Sequence, residues 1–412
     1  MEVLYPCCCG LDVHKKSITA CVLWAEAKGA MRKEKRRFGT FTAELLSLAD
    51  WLRACGVTHV ALESTGVYWK PVWNILEGQF EIVLVNAQHI KAVPGRKTDQ
   101  KDSEWIADLL QHGLLRGSFV PPRGTRELRD LTRYRVSLTE ECNRIANRIQ
   151  KVLEDANIKL ASVATDALGA SGRAMIQAII DGEQNSGLLA DMAKGLLRNK
   201  ISELQLALAG RITTHHRFML AQLMDDLRHA ELKIEHVEEE IKRHTFPFGD
   251  DVARLCTIPG VDRVTAWGLL AELGQNMDQF PSAGHAASWA GLCPGNFESA
   301  GKRLSGKTRK GSAFLRRCLA NAAWAVSTKK SSYLSALFRR IAARRGNKRA
   351  ILAVAHAMLV IAYYLLKRKE EYKELGVNYF DQLNAEGLRR SLVRRLERLG
   401  HQVTLQPRTV TA

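Results

Sequence analysis

The chain has 412 residues, too many for one ordinary hydrophobic core, so two or three domains are expected. Its 46% hydrophobic and 25% charged residues are typical of a folded globular protein and exclude a disordered chain. Lysine and arginine outnumber the acids by 61 to 43, which gives a formal net charge of +18. This imbalance favours a polyanionic partner, nucleic acid before an anionic membrane.

The cysteines and the apolar runs indicate a reducing, aqueous compartment. The nine cysteines include the run Cys7-Cys8-Cys9 but no Cys-x-x-Cys pair and no Cys/His set at zinc-finger spacing, so we interpret the run as small strand residues rather than a zinc site. The first residues lack the pattern of a signal peptide. The longest apolar run, 351–366, is short for a membrane span and contains His356, which favours a buried helix. We therefore expect a cytoplasmic protein with no membrane partner.

Residues 1–122 alternate between strand and helix patterns. Runs rich in β-formers predict strands at 7–13, 18–24, 36–41, 57–62 and 80–85. Amphipathic spacing predicts helices at 42–55, 68–76 and 102–112. Three leading strands followed by helix, strand, helix, strand and helix is the order of a ribonuclease-H-like α/β domain.

Four carboxylates of this region fall where strands end or the last helix begins. Asp12 ends the first predicted strand, Glu63 ends the fourth, and Asp99 and Asp102 stand near the start of the last helix. Clustered carboxylates repel one another unless a cation neutralises them, and oxygen ligands favour Mg²⁺ or Mn²⁺. Two such ions would suit phosphoryl transfer, with the flanking Lys97 and Lys101 holding backbone phosphates. The alternative is that each acid is an ordinary solvated residue or helix cap.

Residues 123–250 read as a helical spacer with a role in oligomerisation. A helix is predicted over 125–161, with an apolar stripe through Leu138, Ile145 and Ile149, and a second over 212–244. The opposite face of the first helix is basic. Its cations are Arg126, Arg129, Arg133, Arg135, Arg144, Arg148 and Lys151. The stripe suits dimerisation and the cations suit nucleic acid, while an intramolecular hairpin with a solvated basic face is equally plausible.

Residues 251–370 form a second predicted globular unit, all-α, followed by a basic helix and tail at 371–412. Its first feature has the pattern of a helix-hairpin-helix, in which a turn through Gly260 and a helix starting near Arg263 bind a DNA phosphate. The second is a loop in which Ser299 stands among cations, with no acid from 299 to 369. Such a loop suits a phosphate contact or an attacking hydroxyl. The cations of the loop are Lys302, Arg303, Lys307, Arg309 and Lys310.

Several motifs together resemble one family, the DEDD transposases of the "one-ten" insertion-sequence family, relatives of the Piv DNA invertase. The motifs occur in family order over nearly the whole chain, to about Phe380. They are Gly10-Leu11-Asp12-Val13-His14-Lys15, Leu62-Glu63-Ser64-Thr65-Gly66, Lys97-Thr98-Asp99-Gln100-Lys101-Asp102, Arg126-Glu127-Leu128-Arg129-Asp130-Leu131, Ile258-Pro259-Gly260-Val261, and Gly291-Leu292-Cys293-Pro294 through Gly311.

The resemblance implies a site-specific recombinase with two kinds of catalytic group. Asp12, Glu63, Asp99 and Asp102 match a metal-binding tetrad in a domain similar to the RuvC junction resolvase. Ser299 matches the serine nucleophile of the transposase domain, with Ser305 as its nearby competitor. Further implications are a guide RNA from the same element, DNA partners at the element ends and the target, and a bacterial, nucleoid-associated location. A dimer or tetramer with composite active sites is also implied.

Two other functions fit parts of the same pattern. In a junction endonuclease of the RuvC type, the carboxylates would activate water and Ser299 would only bind phosphate. In a non-catalytic nucleic-acid-binding protein, the carboxylates would be structural.

Overall fold

The computed structural model describes residues 2–25, 31–64, 66–86, 102–295, 297–299, 301–305, 308 and 311–406, with the backbone alone for 297–299 and 302–305. The chain divides into two compact units, Met1–Pro121 and Pro122–Ala412. The first unit is α/β and the second is mostly helical. This confirms the predicted α/β region followed by a mostly helical region, although the second unit is not all-α as predicted, because it contains a two-stranded hairpin.

A mixed five-stranded sheet organises the described residues of the first unit. The strands are β1 (Cys7–Val13), β2 (Ile18–Ala25), β3 (Met31–Phe38), β4 (His59–Glu63) and β5 (Glu81–Val85), in the order β3-β2-β1-β4-β5. β1, β2 and β3 pair antiparallel, while β1, β4 and β5 pair parallel. The helices are α1 (Thr42–Ala54), α2 (Trp69–Leu76) and α3 (Asp102–Gln111). This arrangement is consistent with an RNase H-like domain.

The predicted third strand was placed too late in the chain. It was expected at 36–41, whereas β3 spans Met31–Phe38 and pairs with β2 at one edge of the sheet. Most of its residues are charged and exposed, so the strand lacks the apolar alternation on which the prediction depended. Charged side chains on an edge strand also discourage pairing with a further strand.

The sheet buries both of its faces, which explains the continuous apolar runs of β1 and β2. One face packs on α1 and α2 through Leu11, Leu48 and Leu62. The other face packs on α3, where Cys8 and Cys21 share a core with Ile106 of the helix. Burial raises the pKa of the Cys8 thiol to about 12 and that of Cys21 to about 11. These cysteines therefore act as small hydrophobic residues, as the sequence predicted.

Two long helices, α4 (Arg123–Asp155) and α9 (Thr214–Thr245), begin the second unit and pack along each other. The shorter helices between them are α5 (Leu160–Val163), α6 (Ala170–Asp181), α7 (Ser186–Asp191) and α8 (Ile201–Leu208), with a 3₁₀ helix at Gly195–Lys200. Ile145 and Ile149 of α4 share a buried core with Leu220 and Leu227 of α9. The apolar stripe of α4 is thus buried within the chain, which favours the intramolecular hairpin over dimerisation through this stripe.

The remaining helices pack around a second core in this unit. They are α10 (Gly249–Cys256), α11 (Arg263–Leu273), α12 (Ala283–Trp289), α13 (Ala313–Ser327), α14 (Tyr333–Arg345) and α15 (Asn347–Arg368), with 3₁₀ turns at Phe246–Phe248 and Met277–Gln279. A short hairpin, β6 (Phe297–Ser299) and β7 (Lys302–Ser305), stands between α12 and α13. The chain continues through α16 (Tyr379–Leu383) and α17 (Ala385–Arg398).

Within the described part of the chain, α15 is the one helix whose length and composition would allow it to cross a membrane. More than half of its most apolar window is buried, and Met358, Leu359 and Ala362 lie in the core of the second unit. The helix is therefore a core element, as predicted for the run 351–366.

Candidate active site

Two of the predicted metal ligands lie at or near the ends of adjacent parallel strands. Asp12 lies near the end of β1, and Glu63 is the last residue of β4. The register pairs Leu11 with Leu62, so the next pair along the two strands is Asp12 and Glu63. Since neighbouring strands lie about 5 Å apart, the two carboxylates start from adjacent points at the carboxyl edge of the sheet.

Both side chains belong to the face of the sheet that α3 covers. Side chains alternate between the faces along a strand, and Cys8 of β1 and Ala61 of β4 lie in the core on the α3 side. Asp12 and Glu63 follow these residues by even steps and therefore point to the same face. Asp12 is accessible, with a quarter of its side chain exposed, and its Oδ2 lies 3.1 Å from Nε2 of His14.

Gly10 allows α3 to approach β1 closely. A Cβ atom at this position would lie 2.2 Å from the carbonyl oxygen of Ser103 and 2.4 Å from the amide nitrogen of Ala107. Both are backbone atoms, which cannot move aside as the end of a flexible side chain can. Glycine at position 10 is therefore required for the packing of α3 on β1.

The direction of α3 places its first residue, Asp102, at the end of the sheet that carries Asp12. The last residue of the helix, Gln111, accepts backbone hydrogen bonds of 2.9 and 3.2 Å from the residues just before β1. Since Ser103 packs on Gly10 further along the strand, α3 runs antiparallel to β1. The N-terminus of α3 thus points toward the strand carboxylates, where the helix dipole favours negative charge.

Two lysines of β3 fix the first turn of α3. Nζ of Lys33 lies 2.7 Å from Oε1 of Glu104, and Nζ of Lys35 lies 2.6 Å from Oε2. These two hydrogen bonds hold the pKa of the Glu104 carboxyl at about 2. The ion pairs tie the start of the helix, two residues from Asp102, to the edge of the sheet.

The structure thus brings Asp12 and Glu63 side by side and places Asp102 at the same end of the sheet. The fourth predicted ligand, Asp99, lies outside the described residues, as do Lys97 and Lys101. Among the residues that are described, no three His, Cys, Asp or Glu side chains form a group that could hold a metal ion. The complete tetrad stays a prediction.

Ser299 ends the first strand of a β-hairpin, where the sequence predicted a flexible loop. β6 pairs antiparallel with β7, and Ser299 stands opposite Lys302 across a short turn that includes Gly301 at a φ of 73°. Ser305 pairs with Phe297 at the other end of the hairpin. Ser299 is therefore next to the tip, and its competitor Ser305 is at the base.

The base of this serine hairpin, residues 294–308, is closed by backbone contacts. Pro294 and Thr308 form an antiparallel bridge. A Cβ atom at Gly311 would lie 2.3 Å from the amide nitrogen of Gly291 and 2.6 Å from the carbonyl oxygen of Trp289. The segments before and after the hairpin therefore lie against each other where they join the helical core. Lys302 and Arg303 lie on β7, while Lys307, Arg309 and Lys310 lie outside the described residues.

The predicted DNA-binding turn joins α10 to α11. Gly260 has a φ of 90°, and a Cβ atom there would lie 2.7 Å from the carbonyl oxygen of Ala322 on α13. The glycine therefore packs the turn against α13. Asp262 caps α11 by accepting a 2.8 Å hydrogen bond from the Thr265 amide, and the exposed Arg263 is the first helical residue. Phosphate binding at this turn stays a prediction.

Comparison with known proteins identifies the family. The family model of the IS110 DEDD transposases, described as "Transposase", matches residues 9–158. The model described as "Transposase IS116/IS110/IS902 family" matches residues 252–339. The first span contains all four predicted carboxylates, and the second contains the hairpin turn and Ser299. The chain belongs to the IS110 family of DEDD transposases. It is therefore an enzyme of DNA transposition, as predicted.

Curated relatives of this IS110-family transposase align over most of their length. The transposase for insertion sequence element IS1111A of Coxiella burnetii is 26% identical over 378 residues, which cover 88% of this chain and 90% of the relative. The transposase for IS1328 of Yersinia enterocolitica is 25% identical over 320 residues, covering 76% of this chain and 82% of the relative.

Membership of a DEDD family implies the use of a divalent metal. The residues at the carboxyl edge of the sheet fit this implication by their chemistry, because Asp12 and Glu63 offer carboxylate oxygens from adjacent strands. Hard oxygen donors of this kind suit small divalent cations. The N-terminal end of α3 brings Asp102 to the same edge.

Sequence reasoning missed a buried carboxylate in the IS110-family C-terminal region. Glu272, on α11, is 4% exposed and accepts hydrogen bonds of 2.8 and 3.1 Å from the Arg133 guanidinium. Arg129 donates to the carbonyl oxygens of Ala271 and Glu272 at 3.1 and 2.9 Å. Two sequence features could have indicated this contact. One is the single acid, Glu272, within the apolar run 266–273, and the other is the pair of arginines, Arg129 and Arg133, four residues apart on one helix.

These contacts change the interpretation of the basic face of α4. Arg129 and Arg133 bind α11, and Arg135 forms a 2.7 Å ion pair with Glu238 of α9. Three of the seven predicted cations therefore stabilise the fold. Arg144 and Arg148 are exposed and remain accessible to a polyanion.

Proposed function

We propose that this IS110-family transposase is a site-specific DNA recombinase that combines a carboxylate metal site with a serine nucleophile. Asp12, Glu63, Asp99 and Asp102 hold two divalent ions, Mg²⁺ or Mn²⁺, in a RuvC-like domain. The observation that carries this proposal is the adjacency of Asp12 and Glu63 on the face of the sheet that α3 covers. Carboxylates carried at neighbouring positions of adjacent strands repel each other, and a bound cation removes that repulsion.

The carboxylates have one task, which is to hold the cations at the carboxyl edge of the sheet. When bound, the ions supply Lewis acidity that polarises the scissile phosphate and stabilises a leaving oxygen. Lys97 and Lys101 flank the last pair of acids and hold the DNA backbone beside them. Gly10 sets the distance between β1 and α3 and so the position of Asp102.

Ser299 carries out the covalent step. Its oxygen forms a bond to phosphorus, the bond from phosphorus to one deoxyribose oxygen breaks, and the proton of the serine passes to that oxygen, which leaves as a hydroxyl. The product is a phosphoserine ester. A hydroxyl from another strand then attacks the ester and restores the serine, so that no phosphodiester bond is lost and no outside energy source is needed.

Positive charge around Ser299 supports this step because charge develops on the phosphate oxygens. Cations on β7 and in the residues that follow it neutralise that charge. A helix-hairpin-helix turn binds the DNA backbone without recognising its sequence. The loop cations are Lys302, Arg303, Lys307, Arg309 and Lys310, and the turn residues are Gly260 and Arg263.

The partners follow from the net charge of +18 and from the family. The DNA substrates are the element ends and the target, and an element-encoded RNA guides their choice. The protein acts in the cytoplasm, at the nucleoid, as a dimer or tetramer.

Substitution of both kinds of group tests the proposal. Asp12→Asn should abolish strand exchange while DNA affinity stays within about twofold, because it removes charge from a metal ligand and leaves the basic surface intact. Asp50→Asn is the matched control, since Asp50 is an exposed acid of the same unit. Addition of EDTA should stop the wild-type reaction, and Mg²⁺ should restore it.

Ser299→Ala distinguishes a recombinase from a junction endonuclease. Loss of strand exchange supports the serine mechanism. A Ser299→Ala protein that still cleaves DNA in a metal-dependent way, without forming a protein–DNA adduct, would show that metal-activated water is the nucleophile.

A further inference from the structure

The buried Glu272 carboxylate contacts Ser312, which lies between the serine hairpin and α13. Ser312, the N-cap of α13, donates a 3.0 Å hydrogen bond from its hydroxyl to Oε2 of Glu272. The same hydroxyl oxygen accepts a 3.2 Å hydrogen bond from the amide of Leu315. A serine hydroxyl has one proton to donate, so these two contacts fix its rotamer.

A carboxylate as buried as Glu272 needs hydrogen-bond donors around it, and Arg133 supplies two bonds while Ser312 supplies a third. An apolar side chain at this position would leave the Arg133 guanidinium and the Ser312 hydroxyl without their acceptor. Glu272 therefore fixes Arg133 of α4 and Ser312 of α13 relative to α11.

Ser312 is one of several contacts that fix where the serine hairpin leaves and re-enters the core. Its amide donates to the carbonyl oxygen of Trp289 at 3.3 Å, and Arg316 donates to that of Gly291 at 2.8 Å. Gly311 packs directly on the backbone of Gly291. From this closed base, the Pro294–Thr308 bridge and the β6–β7 register carry the constraint to the tip beside Ser299.

We propose that Glu272 is a positioning residue for the nucleophile, acting through Ser312 and the base of the serine hairpin. The inference rests on the proposed role of Ser299 and deepens it. Glu272 touches neither DNA nor the reacting atoms in this account. It holds one end of the hairpin so that the serine stays in a reactive orientation, and a misplacement of about 1 Å lowers a rate about 100-fold.

The test uses the full chain, its element-encoded RNA, and a labelled DNA duplex spanning the junction of the element and its flank. Ser312→Ala should lower the rate of covalent adduct formation at saturating DNA at least tenfold, with the Kd for the duplex within twofold. Ser312→Thr keeps the hydroxyl and should restore most of the rate. Ser332→Ala is the matched control, because Ser332 accepts a 3.2 Å hydrogen bond from the Ser335 amide as the N-cap of α14, whereas Ser312 caps α13, the helix that directly follows the hairpin.

Hydrogen–deuterium exchange separates this inference from the proposed function. Deuterium uptake of peptides covering 294–311 should rise in Ser312→Ala and in Glu272→Gln, and stay unchanged in Ser332→Ala. Wild-type uptake together with a wild-type adduct rate in Ser312→Ala would overturn the positioning role. If Ser299→Ala still forms the adduct, the nucleophile assignment fails, while the exchange result still reports whether Glu272 holds the hairpin.

Discussion

Gly10→Ala should displace Asp102 and lower the activity of the carboxylate site, although no carboxylate is replaced. The added Cβ atom would lie 2.2 Å from the carbonyl oxygen of Ser103 and 2.4 Å from the amide nitrogen of Ala107, where an ordinary contact is about 3.5 Å. The start of α3 must therefore move by roughly 1 Å, and Asp102 with it. Overpacking of this kind costs about 1–3 kcal/mol of stability. A shift of about 1 Å at a reacting group costs about 100-fold in rate.

Thermal unfolding and metal-dependent strand exchange measure the two effects separately. Gly117→Ala is the matched control, because Gly117 lies in the same unit and its added Cβ would make an ordinary contact of 3.4 Å with Val83. Gly10→Ala should lose several degrees in Tm and most of its activity, whereas Gly117→Ala should resemble the wild type. A Gly10→Ala protein with wild-type Tm and wild-type strand exchange would refute the close packing of α3 on β1.

Two further predictions concern the thiols and the hairpin base. In the native protein at pH 8, iodoacetamide should leave Cys8, Cys9 and Cys21 unmodified and should label Cys256. The first three are buried, and burial raises the pKa of Cys8 to about 12 and that of Cys21 to about 11. Cys256 is exposed to the reagent, although partial burial raises the pKa of its thiol as well. Peptide mass spectrometry measures this, and labelling of Cys8 before Cys256 would contradict the buried sheet. Gly311→Ala should lower adduct formation at least tenfold, since its Cβ would lie 2.3 Å from the backbone of Gly291, whereas Gly124→Ala, with open space around it, should not. Equal adduct rates in the two variants would show that the base of the hairpin need not be closed.

Much of the first unit could be predicted because its strands are buried on both faces. β1 and β4 are apolar runs bounded by polar residues, so the positions of Asp12 near the end of β1 and of Glu63 at the end of β4 follow from the sequence. The helix predicted over 102–112 is present as α3, Asp102–Gln111. The edge strand β3 was placed too late because its charged residues carry no periodic signal.

The second unit could be predicted in its long helices but not in its polar contacts. The spacing of apolar residues gives α4 and α9, yet it does not tell whether their stripes meet within one chain or between two. The β6–β7 hairpin is too short and too basic to show alternation, so it was expected as a loop. The contact of Glu272 with Arg133 joins residues 139 positions apart and that with Ser312 residues 40 apart, which no local pattern reveals.

Trapping of the covalent intermediate tests the central claim most directly. The transposase, its RNA and a labelled duplex should give a protein–DNA adduct, and mass spectrometry after nuclease digestion should place the phosphate on the peptide containing Ser299. Ser299→Ala should form no adduct, while Ser305→Ala, altered at the base of the same hairpin, should form it. An adduct on Ser305, or strand exchange by the Ser299→Ala protein, would contradict the account.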